Sequence, residues 1–96
     1  MRPSEALAKH RDEVLEIISR YPVSNPRVFG STARGEDVEG SDLDILVEQF
    51  GVLTYIDLAR LEIELEHLLK VPVGVHTPGE FGAAATTRIE TDRREL

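Results

Sequence analysis

Between Ser41 and Val47 the chain reads Ser-Asp-Leu-Asp-Ile-Leu-Val, and this stretch limits the fold more than any other. Successive side chains of a strand alternate between faces, so Leu43, Ile45 and Val47 make an apolar row for a core while Asp42 and Asp44 project together on the other side. The two carboxylates then stand about 7 Å apart, two rises of roughly 3.3 Å each. Aspartate is among the poorest strand formers, and two like charges on one face cost stability unless something binds them. A hard divalent cation that takes oxygens from both removes that cost, and Mg²⁺ is the ion expected here.

Upstream, Val28 and Phe29 are strand formers that run straight into Gly30-Ser31, and ten residues separate Ser31 from Asp42. Glycine lets the backbone turn where a phosphate can approach closely. Ser31 to Gly35 reads as the start of a short helix whose first amides favour an anion such as a triphosphate. A Gly-Ser pair alone is an ordinary turn, and an Asp-x-Asp pair alone is the solvent face of a half-exposed strand. Their spacing, with a strand beside each, makes Gly30 and Ser31 a candidate phosphate cradle and Asp42 and Asp44 a candidate metal pair. Arg34 reads as a surface ion pair with Glu36 or Asp37 and stays outside the site.

The remaining chain supplies a frame for this core. Leu7, Arg11, Val14, Ile18 and Tyr21 recur at helical spacing after a potential cap at Ser4, which predicts one amphipathic helix ended by Pro22. Tyr21 to Pro26 reads as a connector, Arg27 to Phe29 as the first strand and Asp42 to Val47 as the second. Thr54-x-x-Asp57 opens a helix that runs to Lys70 with Leu58, Leu61, Leu65 and Leu68 on one stripe, and Glu62, Glu64 and Glu66 read as its solvated face. Val71 to His76 is a third strand, at an edge or a strand start because of Pro72. Thr77-Pro78-Gly79-Glu80 again carries helix-start residues, and Arg88 to Leu96 is a charged helix or a frayed tail. His10 and His67 show no ligand partner. The order predicts an α/β (α+β) chain, a small mixed sheet with helices packed on one face and the acids on the other, in a single domain over residues 1–96.

Charge excludes one class of partner. Eighteen acidic against eleven basic residues give a net charge of −7, which opposes a nucleic-acid partner, since phosphate backbones are held by Lys and Arg clusters. The chain has no cysteine, which removes disulfides, thiolate catalysis and cysteine-type zinc sites together. With no apolar signal core after Met1 and no apolar run of membrane-spanning length, the expected location is cytoplasmic, away from membranes.

Gly30-Ser31, ten residues and Asp42-x-Asp44 resemble the signature of the DNA polymerase beta type nucleotidyltransferase superfamily. Within it, Gly-Ser-Thr-Ala-Arg-Gly followed by Ser-Asp-Leu-Asp-Ile-Leu-Val is most similar to the minimal nucleotidyltransferases that act as antitoxins beside HEPN-domain toxins. The core match covers Val28 to Val47, and the superfamily's order of elements fits nearly the whole chain. The resemblance implies Mg²⁺-dependent transfer of a nucleoside monophosphate, AMP from ATP, to a hydroxyl, which in the antitoxin relatives is a tyrosine of the toxin. It implies that Gly30 and Ser31 hold the β and γ phosphates and that Asp42 and Asp44 are the metal ligands and catalytic acids.

One departure stands out. Val73-Gly74-Val75-His76-Thr77-Pro78 is similar to a Val-Asp-Val-x-Thr-Pro segment of that superfamily, with Gly74 where a third acid is usual. Glycine takes no proton and holds no metal. His76 shares Gly74's face of the strand and is a candidate replacement. The alternative is a catalytically weakened, nucleotide-binding antitoxin that neutralises its toxin by docking.

Overall fold

The computed structural model describes residues 1–78 and 94–96, with backbone alone at Arg94 and Glu95. Two short helices, α1 (Pro3–Lys9) and α2 (Arg11–Ile18), lead into strands β1 (Val23–Phe29) and β2 (Leu43–Gln49). Helix α3 (Tyr55–Leu69) and strands β3 (Val73–His76) and β4 (Arg94–Glu95) follow. The strands form one mixed sheet in the order β3-β2-β1-β4. β1 runs antiparallel to β2 and β4, while β2 and β3 are parallel, joined by the α3 crossover that a parallel pair requires.

The buried face follows the alternation in β2. Leu43, Ile45 and Val47 are fully buried, together with Val28, Val73 and Val75 of the neighbouring strands. Ala6, Leu7, Val14, Ile18, Leu61, Leu65 and Leu69 complete the core from the helices. Among the described residues, the helices pack on one sheet face, as expected. Truncating a side chain as enclosed as Leu61 or Leu65 costs about 2–5 kcal/mol, the transfer energy plus the cavity left behind.

Several boundaries differ from the sequence reading. The first helix is two: at His10 the backbone leaves helical geometry (φ −116°, ψ 23°), and this residue ends α1 and starts α2. No glycine or proline marks the break. Ser4 is not the cap, because Pro3 is the first helical residue and Arg2 precedes it. The Ser4 amide donates instead to Asp37 Oδ2 at 2.8 Å, so a buried carboxylate far along the chain satisfies a first-turn N–H. β1 begins at Val23, where a connector was expected, with Val23 opposite Gln49 and Ser24 opposite Glu48. A bulge absorbs Asn25 (φ 51°) and Pro26 before pairing resumes at Arg27, which is how a strand tolerates a proline.

Ser31 to Gly35 is a run of turns, not a helix. Arg34 N donates to Gly30 O at 3.2 Å and Glu36 N to Ser31 O at 2.8 Å, and the positive φ of Gly35, 72°, stops any continuation. α3 starts as expected, with Thr54 accepting from the Asp57 amide and the Asp57 carboxylate accepting from Thr54 N. It ends at Lys70 in the left-handed region, φ 61°, a role more often taken by glycine.

The three glutamates of α3 are not a solvated face. Glu66 Oε2 accepts from the Val73 amide at 3.1 Å and Glu62 Oε2 from the Val75 amide at 2.9 Å. These N–H groups point away from β2, so two carboxylates one helical turn apart satisfy them. Glu64 accepts from the Tyr21 hydroxyl at 2.7 Å. At the other end of the chain, Arg94 and Glu95 pair with Val28 and Arg27, so this part of the expected helix or tail is a strand. Gly79, Glu80 and residues 88–93 lie outside the described residues. No helix among those described is long and apolar enough to cross a membrane.

Candidate active site

The turn after β1 and the first residues of β2 come together because the strands are neighbours in register. Phe29 stands opposite Asp44, which sets Gly30 beside the Asp44 carboxylate. A Cβ built on Gly30 would lie 3.4 Å from Asp44 Oδ2, and Gly30 has φ 73°, so glycine serves both the backbone geometry and the close approach. Among the described residues, the amides of Ser31, Thr32 and Ala33 donate to no backbone carbonyl, whereas those of Arg34, Gly35 and Glu36 close the turn. Successive amides without an acceptor beside a left-handed residue form the kind of concavity that holds an anion. The Thr32 hydroxyl in this turn is buried without a hydrogen-bond partner.

Asp44 lies within β2, half-buried, while Asp42 lies one residue ahead of the strand and is exposed. The reading that placed both on one regular strand face is corrected for Asp42, because pairing to β3 begins only at Leu43, whose amide donates to Pro72 O at 2.8 Å. A tight turn places Asp42 where it is. Val38 N donates to Ser41 Oγ and Ser41 N to Val38 O, each at 3.0 Å. Asp37 fixes the other end of this loop. Burial pushes its carboxyl up, but hydrogen bonds from Ser4 and the Arg2 charge outweigh that and hold it below the ordinary aspartate range. Arg34 pairs with Glu36 at 3.1 Å, as expected.

Gly74 is the direct β3 neighbour of Asp44, and His76 that of Leu46, so both share the Asp44 face. His76 Nε2 stands 3.5 Å from Asp44 Oδ1. A Cβ on Gly74 would lie 2.8 Å from that nitrogen and 3.2 Å from that oxygen. The imidazole thus occupies the space a side chain at position 74 would need. Phe29 packs edge-on to the His76 ring, centroids 5.6 Å apart. Sequence reasoning missed this contact, although both aromatic rings fall on strand positions of matching parity.

Further along the Asp44 face, Leu46 and Arg27 stand opposite each other, and both are 2% exposed. Arg27 Nε and Nη2 lack hydrogen-bond partners among the described residues, and Nη2 lies 4.0 Å from Glu48. Among the described residues, Gly30, Asp44, Gly74 and His76 come together at the other end of this face.

No group of three or more His, Cys, Asp or Glu side chains is disposed to hold a metal among the described residues. Two carboxylates without a third still suit Mg²⁺, which takes one or two of them and completes its shell with phosphate oxygens and water. Asp42 makes no hydrogen bond or ion pair among the described residues, and Asp44 Oδ2 faces the cradle. The donor set fits that ion.

Comparison with known proteins gives the family. Residues 7–96 match the family model described as "Nucleotidyltransferase domain". A Methanocaldococcus jannaschii protein with the provisional name protein adenylyltransferase MJ1215 is 41% identical over 73 residues, 76% of this chain and 81% of that one. A solved structure of a provisionally named minimal nucleotidyltransferase superposes with TM-score 0.85 at 36% identity, covering 97% of this chain and 95% of that chain. An MNT antitoxin in complex with a tri-AMPylated HEPN toxin, from Shewanella oneidensis, shares the fold at TM-score 0.70 and 16% identity, covering 92% of this chain and 69% of that chain. The family model together with the relatives at 41% and 36% identity places the chain in the nucleotidyltransferase family, as an enzyme of the minimal nucleotidyltransferase kind.

Proposed function

We propose that this protein transfers AMP from ATP, with Mg²⁺, to a tyrosine hydroxyl on a HEPN-type toxin in the cytoplasm, all within one domain. The observation that carries the reading is Gly30, held at positive φ against Asp44 at the mouth of a turn whose next three amides lack backbone acceptors. Gly30 and Ser31 hold the β and γ phosphates. Asp42 and Asp44 are the groups that would hold Mg²⁺, which when bound neutralises phosphate charge and polarises the α-phosphorus. The acceptor oxygen attacks that phosphorus in line, the bond to the bridging oxygen breaks, pyrophosphate leaves and the hydroxyl proton passes to water. The cradle favours the charge that develops on the leaving phosphates, since its dipoles are oriented beforehand. The protein adenylyltransferase name of one relative and the AMPylated toxin bound to another support the acceptor.

Gly74 favours a second reading. The nearest strand neighbour of Asp44 carries no carboxylate, so an antitoxin that binds nucleotide but acts chiefly by docking is the alternative. Incubating the protein with ATP labelled at the α-phosphate, Mg²⁺ and the HEPN protein encoded beside it separates the two. Transfer of label that is lost in Asp44→Asn supports the enzyme. A stable complex without label supports docking, and neither complex nor label removes both.

A further inference from the structure

His76 is placed for more than packing. β2 and β3 are parallel and in register, so Asp44 and His76 emerge from the same sheet face, and Nε2 of the imidazole lies 3.5 Å from Oδ1 of the carboxylate. Two donors that each bind an ion at about 2.1 Å stand roughly 3.0–3.4 Å apart at octahedral to tetrahedral angles. The observed gap needs little closure. Both side chains are about one-third exposed, 29% for His76 and 36% for Asp44, so an ion can reach them from water. Phe29 limits the ring from one side.

Gly74 makes this arrangement possible. The ring lies back over it so closely that even a methyl group there would collide with Nε2 at 2.8 Å. The absent side chain and the imidazole are thus one local solution: position 74 is empty so that position 76 can reach Asp44.

Resting on the reading that Asp44 binds metal, we propose that His76 Nε2 and Asp44 Oδ1 together ligate a borderline divalent ion such as Zn²⁺ or Co²⁺, which this site takes in addition to Mg²⁺. Imidazole suits the later transition metals, whereas Mg²⁺ is served by carboxylate, phosphate and water oxygens. Two protein donors leave the remaining positions open to triphosphate oxygens or water.

Co²⁺, whose visible spectrum reports nitrogen ligation and geometry, is the probe, added to full-length protein without a histidine tag. The expected result is one Co²⁺ bound with histidine ligation. His76→Ala should weaken Co²⁺ by on the order of 10- to 100-fold, the usual range when groups that hold or orient a metal are removed. Mg²⁺-ATP binding is followed in parallel through the Gly30 and Ser31 amide signals. Gly74→Ala, which displaces the ring but keeps every ligand, should weaken Co²⁺ in the same way. If His76→Ala keeps the parent's Co²⁺ affinity and spectrum while Asp44→Asn loses them, the imidazole is not a ligand and the proposal is overturned, with the Asp44 reading intact. If Asp44→Asn alters neither Co²⁺ nor Mg²⁺-ATP binding, the reading of Asp44 itself fails.

Discussion

At the scale of single residues, the site is defined by what two glycines leave vacant. Gly30 sits at φ 73° with Asp44 against it, so Gly30→Ala should destabilise the fold by about 1–2 kcal/mol, the cost of a left-handed non-glycine residue. ATP-induced shifts at Ser31 should weaken with it. Thermal unfolding and an amide titration check the two parts. Gly74 offers a sharper test. Gly74→Asp on its own places a carboxylate against Asp44 and under the His76 ring, so we expect no gain in label transfer. Gly74→Asp with His76→Ala clears that space, and the double variant should transfer faster than the parent with little change in ATP affinity, since a group that activates the acceptor acts mainly in the transition state. Equal rates for the single and double variants would sink the steric argument. Arg27 makes a different point: it is buried with two nitrogens that find no hydrogen-bond partner among the described residues and only a 4.0 Å ion pair to Glu48, so Arg27→Met should leave stability unchanged or raise it by about 1 kcal/mol in a denaturant titration.

At the scale of elements, what was legible in sequence is what local rules govern. The β2 alternation, the Thr54 capping box and the Gly30-Ser31 turn each reflect short-range chemistry, and each formed where expected. The bulge at Asn25 and Pro26 and the strand at Arg94 and Glu95 depend on partners distant in sequence, and no local pattern announces the break at His10. The role of the α3 glutamates was hidden in the same way. Alternating acids on a helix read as solvated until β3 presents its amides to Glu62 and Glu66. The placement of the Gly30 turn beside Asp44 was legible because the glycine and acid signals are local, whereas the His76 to Asp44 approach needed the β2 to β3 register. The link from Tyr21 to α3 predicts a pH dependence. Burial first, and then the hydrogen bond to Glu64, push the Tyr21 hydroxyl from 10.0 up to about 12. A raised pKa means that the neutral form is favoured in the fold, so the contribution is full below pH 10.0 and lost as pH rises toward about 12. Tyr21→Phe should flatten that alkaline limb of the stability curve, measured by unfolding at a series of pH values.

At the scale of the whole molecule, charge and function pull against stability. Asp42→Asn with Asp44→Asn should abolish ATP-induced shifts while leaving the nucleotide-free protein as stable or more so, because acids kept for binding are seldom kept for the fold. With a net charge of −7, association with a basic toxin surface should slow as salt is raised, visible in the on-rate more than the off-rate. The carboxylates of Glu62 and Glu66 have one more consequence. They stand where the backbone of a fifth strand would dock, so the β3 border of the sheet offers no template to a passing peptide or a second copy. Growth of the sheet into a ribbon is blocked there by two side chains of one helix, and whatever binds this protein along that border must do so through side chains, not by lengthening the ladder.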